Sequence, residues 1–577
     1  MTTNAASATP PGHATSGEYS HKQILTILTG LLLGMFLGAL DQSIVSTSIR
    51  TIADDLHGLS IQAWVTTAYL ITSTITTPIY GKLGDLWGRK KLFMFAITIF
   101  VLGSLLCTLS TSMYELAAFR AFQGLGAGGL FTLVLAIIGD IVSPRERAKY
   151  TGYFMATFGT SSVLGPVVGG LLAGTTSIIG IAGWRWVFLV NVPIGILALV
   201  VVFRTLHVHH ERRNTRIDWM GAVALVVCLV PLLTVAEQGQ SWGWGSARAL
   251  SCFIVGAIGL VLFIAAEARM KDAALIPLRM FRIRPALVTI VASVLVGMAM
   301  FGGIMMLPLY LQIVHGVTPT ESGLLMLPMV VGMMSAGLIS GLITGKTGRP
   351  RLFPIFGSVI FTIGFGLLTT ISASTHLPYV MIFMLILGYG IGNCMQPLIL
   401  TVQSAVPPAE IGVATSSATF FRQMGGTIGV AVFLSVLFST MGGHIESRFA
   451  DQGPAIQASI QSGQLVPNAS DRQVLDPSTA GHFLAGFADD SSIINKLSPQ
   501  VRQPIKDGFT DSMTKVFYIT GGIGLVAFLV LLLMPEVVLR NTSAAAAARA
   551  EAAAGEPVDP VTEAELGQEV AQDGERD

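Results

Sequence analysis

The stretch GKLGDLWGRKKLF, residues 81–93, has a counterpart later in the chain in GLITGKTGR, residues 341–349. The two coincide at Gly81/Gly341, Gly88/Gly348 and Arg89/Arg349, an offset of 260. Two more landmarks follow in the same order: GLGAG (124–128) against GYGIG (388–392), and SPRE (143–146) against PPAE (407–410), each at an offset of 264. In a chain with 63 glycines one such match could arise by chance. Three in register indicate two copies of one unit.

Outward from these landmarks the chain is dominated by apolar runs. Of 577 residues 52% are hydrophobic and only 12% charged, with a mean hydropathy of +0.68, whereas a soluble domain carries about 25% charged residues. Most of the surface must face lipid. A hydrocarbon core about 30 Å thick needs about 20 apolar residues per helix. Runs of that kind predict spans at 23–46, 62–80, 92–110, 115–141, 149–174, 185–203, 217–236, 249–268, 286–312, 320–344, 352–371, 377–401, 411–440 and 515–536. The fold class is therefore an all-α integral membrane protein with about fourteen transmembrane helices. The repeat divides it into an N-terminal six-helix half (23–203), an inserted helix pair with flanking loops (204–284) and a C-terminal six-helix half (285–536). Both copies have the same orientation, so an axis along the membrane normal relates them.

Basic residues crowd the even-numbered connections: Lys82, Arg89, Lys90 and Lys91 in the first, Arg145, Arg147 and Lys149 in the second, with similar clusters after the sixth, eighth and tenth spans. The short odd-numbered connections hold only Arg50 and Arg248. Positive charge accumulates on the cytoplasmic side, so both termini are expected there. Segments 1–22 and 537–577 read as disordered tails, the first without the basic region and cleavage site of a secretory signal. One outer connection is long. Residues 441–514 are polar with Gly and Pro throughout, and a partner could dock there. The part 451–481 has few groups to bury, so deletion of 451–475 is expected to be tolerated; Phe483, Phe487 and Ile494 need a surface to cover them.

The same composition excludes several classes. A net charge of +1 with scattered basic clusters gives no nucleic-acid face. Cys107, Cys228, Cys252 and Cys394 have neither disulfide nor zinc spacing. Gly124, Gly126 and Gly129 fit a dinucleotide-binding pattern but lie in an apolar helix with no preceding strand, and Ser340 stands where a phosphate loop ending in Gly345-Lys346-Thr347 needs glycine. His207, His209 and His210 sit beside Arg212 and Arg213 and read as solvated. No cofactor, metal or catalytic residue is expected, and the chain does not read as an enzyme.

Four features carry chemistry. Asp85 and Arg89 lie four apart in a tight turn, where a carboxylate can pair with a guanidinium and with a neighbouring helix N-terminus. Gly165, Pro166, Gly169 and Gly170 permit close helix approach and bending in the fifth span, through a pivot or through ordinary small-residue packing. Asp41 is a carboxylate inside the first span. It needs a cavity or a partner, and Arg120, at similar depth in the fourth span, is the natural one. The pair reads either as a proton site or as a fixed structural bridge. Arg422 is a third intramembrane charge whose partner the sequence does not name.

These stretches also carry a family resemblance. GKLGDLWGRKKLF (81–93) resembles the signature loop between the second and third helices of the major facilitator superfamily, and RAFQGLGAG (120–128) its fourth-helix motif. GPVVGG (165–170) is similar to its fifth-helix antiporter motif. LDQSIVSTSI (40–49) with WRWVFLVNVP (184–193) resembles the fourteen-helix drug:proton antiporter branch. Leu86 departs from the many members with a basic residue there, and Arg50 from the family's Pro. The resemblance implies that Gly81, Asp85, Gly88 and Arg89 form a conformational lock closed towards the cytoplasm. It also implies proton-driven export of small hydrophobic or cationic compounds across the cell membrane. Gln42, Met305, Asn393 and Gln396 are then substrate-lining residues, or polar glue between helices. Other readings are a dedicated exporter of a lipid, siderophore or secondary metabolite, and a membrane sensor or scaffold without turnover.

Overall fold

Hydrocarbon offers the backbone no water to bond, so a lipid-exposed chain of this composition closes its hydrogen bonds within helices. The computed structural model describes residues 21–57, 62–206, 218–407, 410–476, 494, 496–537 and 539. The N-terminal half comprises α1 (His21–Asp55), α2 (Gln62–Trp87), α3 (Arg89–Leu109), α4 (Met113–Ile141), α5 (Pro144–Ala173) and a sixth span broken into α6 (Trp186–Leu189) and α7 (Asn191–Thr205). A short hairpin of β1 (Ser177–Ile178) and β2 (Ile181–Ala182) precedes the sixth span. The inserted pair is α8 (Trp219–Trp242) and α9 (Ala247–Met270). The C-terminal half follows with α10 (Arg284–Val314), α11 (Pro319–Leu325), α12 (Leu327–Thr347), α13 (Leu352–Leu368), α14 (Leu377–Ser404), α15 (Ile411–Gln461), α16 (Ala469–Leu475) and α17 (Pro499–Leu532).

Among the described residues twelve helical stretches are long and apolar enough to span a membrane, and α2 and α13 complete the fourteen. The α13 helix has only 17 residues. In α2 the polar side chains turn inward on their own backbone: Thr72, Thr76 and Thr77 donate to the carbonyls of Ala68, Thr72 and Ser73. Helix starts are set locally by caps, as where the Ser143 hydroxyl accepts from the Glu146 N–H just ahead of Pro144.

The internal repeat is a repeat of contacts. Gly124 and Gly128 bring α4 against α2, where an added Cβ would lie 2.6 Å from the Tyr69 carbonyl and 2.4 Å from that of Ser73. Their counterparts Gly388 and Gly392 bring α14 against α12, with 2.0 Å to the Met329 carbonyl and 2.5 Å to that of Met333. In the same way Gly165 and Gly169 seat α5 on α1, and Gly425 and Gly429 seat α15 on α10. Each half closes round its own aromatic core, Phe93, Phe100 and Phe154 in one, Phe361, Phe365, Phe433 and Phe517 in the other. The inserted α8 lies against α2 of one half and α15 of the other. α9 packs on α8 through Gly256 and Gly259 and exposes Phe253, Ile258, Val261 and Leu262 to the surroundings.

The 441–514 connection differs from its reading as a polar loop. α15 continues to Gln461, and at about 1.5 Å per residue its 51 residues run about 77 Å, far beyond the bilayer core. Its distal part pairs with the start of α17: Arg448 holds Asp511 through two bonds of 2.7 and 2.9 Å, Gln452 donates to Asp507 at 2.7 Å, and Gly508 admits the Ile445 backbone. Ile456, Leu465 and Val474 are buried, so 451–475 does have groups to bury, and its deletion is expected to lower the yield of folded protein. Ile494 is buried as expected, while Phe483 and Phe487, like His207, His209, His210 and most of both tails, lie outside the described residues. The keystone of the platform is buried Asp471, which accepts the Asn468 N–H at 3.0 Å and the Ser498 N–H at 2.9 Å. Asp471→Ala strands both donors, and a loss of about 1–3 kcal/mol, read as a lower thermal midpoint in detergent, is expected.

Candidate functional site

Two polar centres stand out. The first joins the halves on the side of the membrane that carries the basic loops. Arg89 at the start of α3 grips Asp85 at the end of α2, at 2.7 Å from Nη2 and 3.2 Å from Nε. It also bonds Asp140 of α4 at 2.7 Å and the Ala136 carbonyl. The other oxygen of Asp85 accepts the Val413 N–H at 3.0 Å, in the first turn of α15 and thus in the other half. A carboxylate at a helix N-terminus is favoured by the unsatisfied amides and the helix dipole there. The glycines make this approach possible. A Cβ on Gly81 would lie 2.1 Å from Ser416 Oγ, and one on Gly412 would lie 2.2 Å from Asp85 Oδ1. Gly88 separates α2 from α3 at φ 96°, a conformation that disfavours other residues.

A second tie lies beside it. Buried Arg147 donates to the Gly139 and Val142 carbonyls at 3.0 and 3.1 Å and to the Gln403 side chain of the C-terminal half, which itself donates to Thr415 at 2.7 Å. Burial pulls the Arg147 guanidinium down to about 9, with Asp140 opposing and Arg89 adding to the shift. The opposite copy of the motif has no such lock. Asp85 corresponds to Gly345, and Arg349 pairs with Glu536 at 3.0 Å in an exposed position.

The second centre lies inside the N-terminal half. Asp41 of α1 and Arg120 of α4 form an ion pair of 2.6 Å, and both are essentially without exposure. The other Asp41 oxygen accepts from Gln123 at 3.0 Å and from Asn191, at the break between α6 and α7, at 2.7 Å. Gln123 and Asn191 also donate to Ser104 of α3, at 2.8 and 3.3 Å. The Arg120 guanidinium lies 4.0 Å from the centre of the Tyr69 ring, a cation–π contact. Three donors from α4 and α7 thus converge on one carboxylate that has no exposed surface, and each of its oxygens accepts a short bond. Arg120 Nε and Asn191 Oδ1 are buried without a bond, which leaves the cluster polar capacity for a rearranged state.

The expected Asp41–Arg120 and Asp85–Arg89 pairs are thus brought together. Sequence reasoning missed Gln123, Asn191, Ser104, Tyr69, Asp140, Arg147 and Gln403, although Gln123 and Asn191 lie within the motifs RAFQGLGAG and WRWVFLVNVP. Gly165, Pro166, Gly169 and Gly170 lie on a helix shared by two neighbours. Gly165 and Gly169 face Ser43 and Ile44 of α1, while Pro166 faces Gly323 and Gly170 faces Thr320 of the C-terminal half. Of the lining residues, Gln42 is half-buried and Met305 exposed. Asn393 donates to its own helix at the Tyr389 carbonyl and packs on Gly357 of α13, and Gln396 is buried with its amide nitrogen unbonded.

Two repeated six-helix halves of one orientation, joined by such a clasp, are the architecture of transporters of the major facilitator type. The chain belongs to the Major Facilitator Superfamily, whose family model matches residues 31–430. It is 34% identical over 509 residues to the multidrug transporter protein MdtP of Bacillus subtilis, a match covering 87% of this chain and 91% of that one. It is 30% identical over 523 residues to the acurin A biosynthesis cluster MFS-type transporter of Aspergillus aculeatus, covering 89% and 90%. Among solved structures the proton:xylose symporter XylE, bound to 6-bromo-6-deoxy-D-glucose, superposes with a TM-score of 0.54 at 14% identity, covering 90% of this chain and 97% of that one.

Proposed function

We propose that the chain is a proton-coupled antiporter that exports small, largely apolar compounds across the cell membrane, with both termini in the cytoplasm. The observation that carries this reading is the sealed Asp41 cluster, a lone carboxylate at membrane depth beside an arginine, in a half that must move relative to its partner. Proton binding would release Arg120, Gln123 and Asn191 from Asp41 and so couple the charge of one residue to the packing of α1, α4 and α7. With energy drawn from the gradient, each charge moved is worth about 2.3 kcal/mol per 100 mV. The Asp85 and Arg147 ties would hold the cytoplasmic side shut while the acid exchanges its proton.

Multidrug export is favoured by the named role of MdtP. Dedicated export of a secondary metabolite is the second reading, favoured by the acurin-cluster relative and by the structured platform of α15, α16 and α17. Purified protein in vesicles with an imposed pH gradient tests the coupling. Addition of a transported compound is expected to dissipate the gradient faster, and gradient-independent movement at the same rate would refute proton coupling.

A further inference from the structure

Arg422 is the intramembrane charge that the two centres leave unexplained. It lies eleven residues into α15, about 16 Å from that helix's start and so near the middle of the bilayer core. The neighbours of α15 fix its orientation. α2 meets Ser416 and Gln423, α10 meets Gly425 and Gly429, and Trp244 of the inserted pair bonds Ser435. Thr415, which bonds Gln403 of α14, and Phe433, which packs on Gly302 of α10 within the aromatic core of that half, mark the face turned to the interior of the C-terminal half, and the Arg422 backbone itself lies against Gly297 of α10. Arg422 is seven residues from Thr415 and eleven from Phe433, close to whole numbers of turns, so its side chain leaves the helix towards the interior.

Nothing among the described residues neutralises it. Arg120 has Asp41, Arg89 has Asp85 and Asp140, and Arg147 has two carbonyls and Gln403. The guanidinium of Arg422 has no ion pair or hydrogen bond among those residues. Residues 285–440 contain two acids, Glu321 and Glu410. Glu321 caps its own helix at Thr318, and Glu410 is held by Arg279, so neither is at membrane depth or free. The interior of the C-terminal half is therefore a positive site in apolar surroundings, with the Phe301 ring against Gly426 one turn away. An unpaired cation at that depth is tolerated when a water-filled cavity or a ligand completes it.

We propose that Arg422 is the cargo-recognition group of the C-terminal half and that it binds an anionic oxygen, such as a carboxylate, on an otherwise apolar molecule. This deepens the exporter reading and rests on it. It replaces the expectation of cationic cargo, because a cationic group at that point would meet an uncompensated guanidinium.

The full chain in lipid nanodiscs tests this with two probes that share a fluorophore, dansylglycine with a carboxylate and dansylcadaverine with an ammonium. Wild type is expected to bind dansylglycine about tenfold or more tightly than dansylcadaverine, the size of a charged hydrogen bond. Arg422→Gln should weaken dansylglycine about tenfold and leave dansylcadaverine unchanged, while Arg422→Lys keeps part of the preference. Thermal midpoints of both variants control for folding. Equal or absent dansylglycine binding in wild type, or wild-type dansylglycine binding in a folded Arg422→Gln variant, overturns the assignment. Gradient-driven uptake of dansylcadaverine into vesicles alongside that result leaves the exporter reading standing. Gradient-driven movement of neither probe overturns that reading as well.

Discussion

Asp41→Asn is expected to abolish gradient-driven transport and to lower stability, and a second substitution separates the two effects. The amide resembles the protonated acid and cannot cycle. It also leaves the Arg120 charge buried with only neutral acceptors, the new amide oxygen, the Gln123 carbonyl oxygen at 2.7 Å and the Tyr69 face. Breaking a buried pair from one side costs about 3–5 kcal/mol, mostly as the penalty of the stranded charge. Removing that charge as well, in Asp41→Asn/Arg120→Gln, should restore much of the thermal midpoint. Transport should stay absent. Stability is read from the melting of purified protein and transport from proton flux in vesicles of matched protein content. Wild-type flux in the single variant, or recovery of flux with stability in the double one, would reduce the pair to a structural bridge.

The repeat made the fold legible because its glycines are contact residues. Gly124, Gly128, Gly388 and Gly392 lie where two backbones touch, and no larger residue fits. The pairing of Asp41 with Arg120 was legible because charges at membrane depth are few and must meet. Their companions were not, since a single Asn191 or Gln123 in an apolar run reads equally as polar glue. Only the helix break at Val190 brings the Asn191 amide to the acid. The platform at 441–514 was misread for a different reason. Its buried residues, Met441, Ile445 and Ile456, are sparse but spaced by whole helical turns, so a search for continuous apolar runs passes over them. The cross-half ties were hidden because a partner such as the Val413 N–H belongs to the backbone and leaves no mark in the sequence.

Gly81→Ala is expected to open the clasp, and Ser416→Gly to close it again in part. The Cβ added at Gly81 would lie 2.1 Å from Ser416 Oγ and 2.3 Å from Ser416 Cβ, so α2 and α15 must separate where Asp85 reaches Val413. That separation breaks a charge-assisted bond of about 1.5–3 kcal/mol. It should shift the balance towards the state open on the basic side by about ten- to hundredfold. Asp85→Asn removes the charge without the steric clash and should shift the balance in the same direction, slowing turnover with little change in substrate affinity. Spin labels on the basic-side ends of α2 and α15 report the balance as a distance distribution. Wild type should be dominated by the short distance and Gly81→Ala by the long one. In Gly81→Ala/Ser416→Gly both atoms of the Ser416 side chain that clash are gone, and only the Gly412 carbonyl, 3.0 Å from the new Cβ, still resists closure. Partial return of the short distance together with turnover is therefore expected. An unchanged distribution in Gly81→Ala would mean that the contact between α2 and α15 does not control the closed state, and Arg147 with Gln403 would be left as the tie that does.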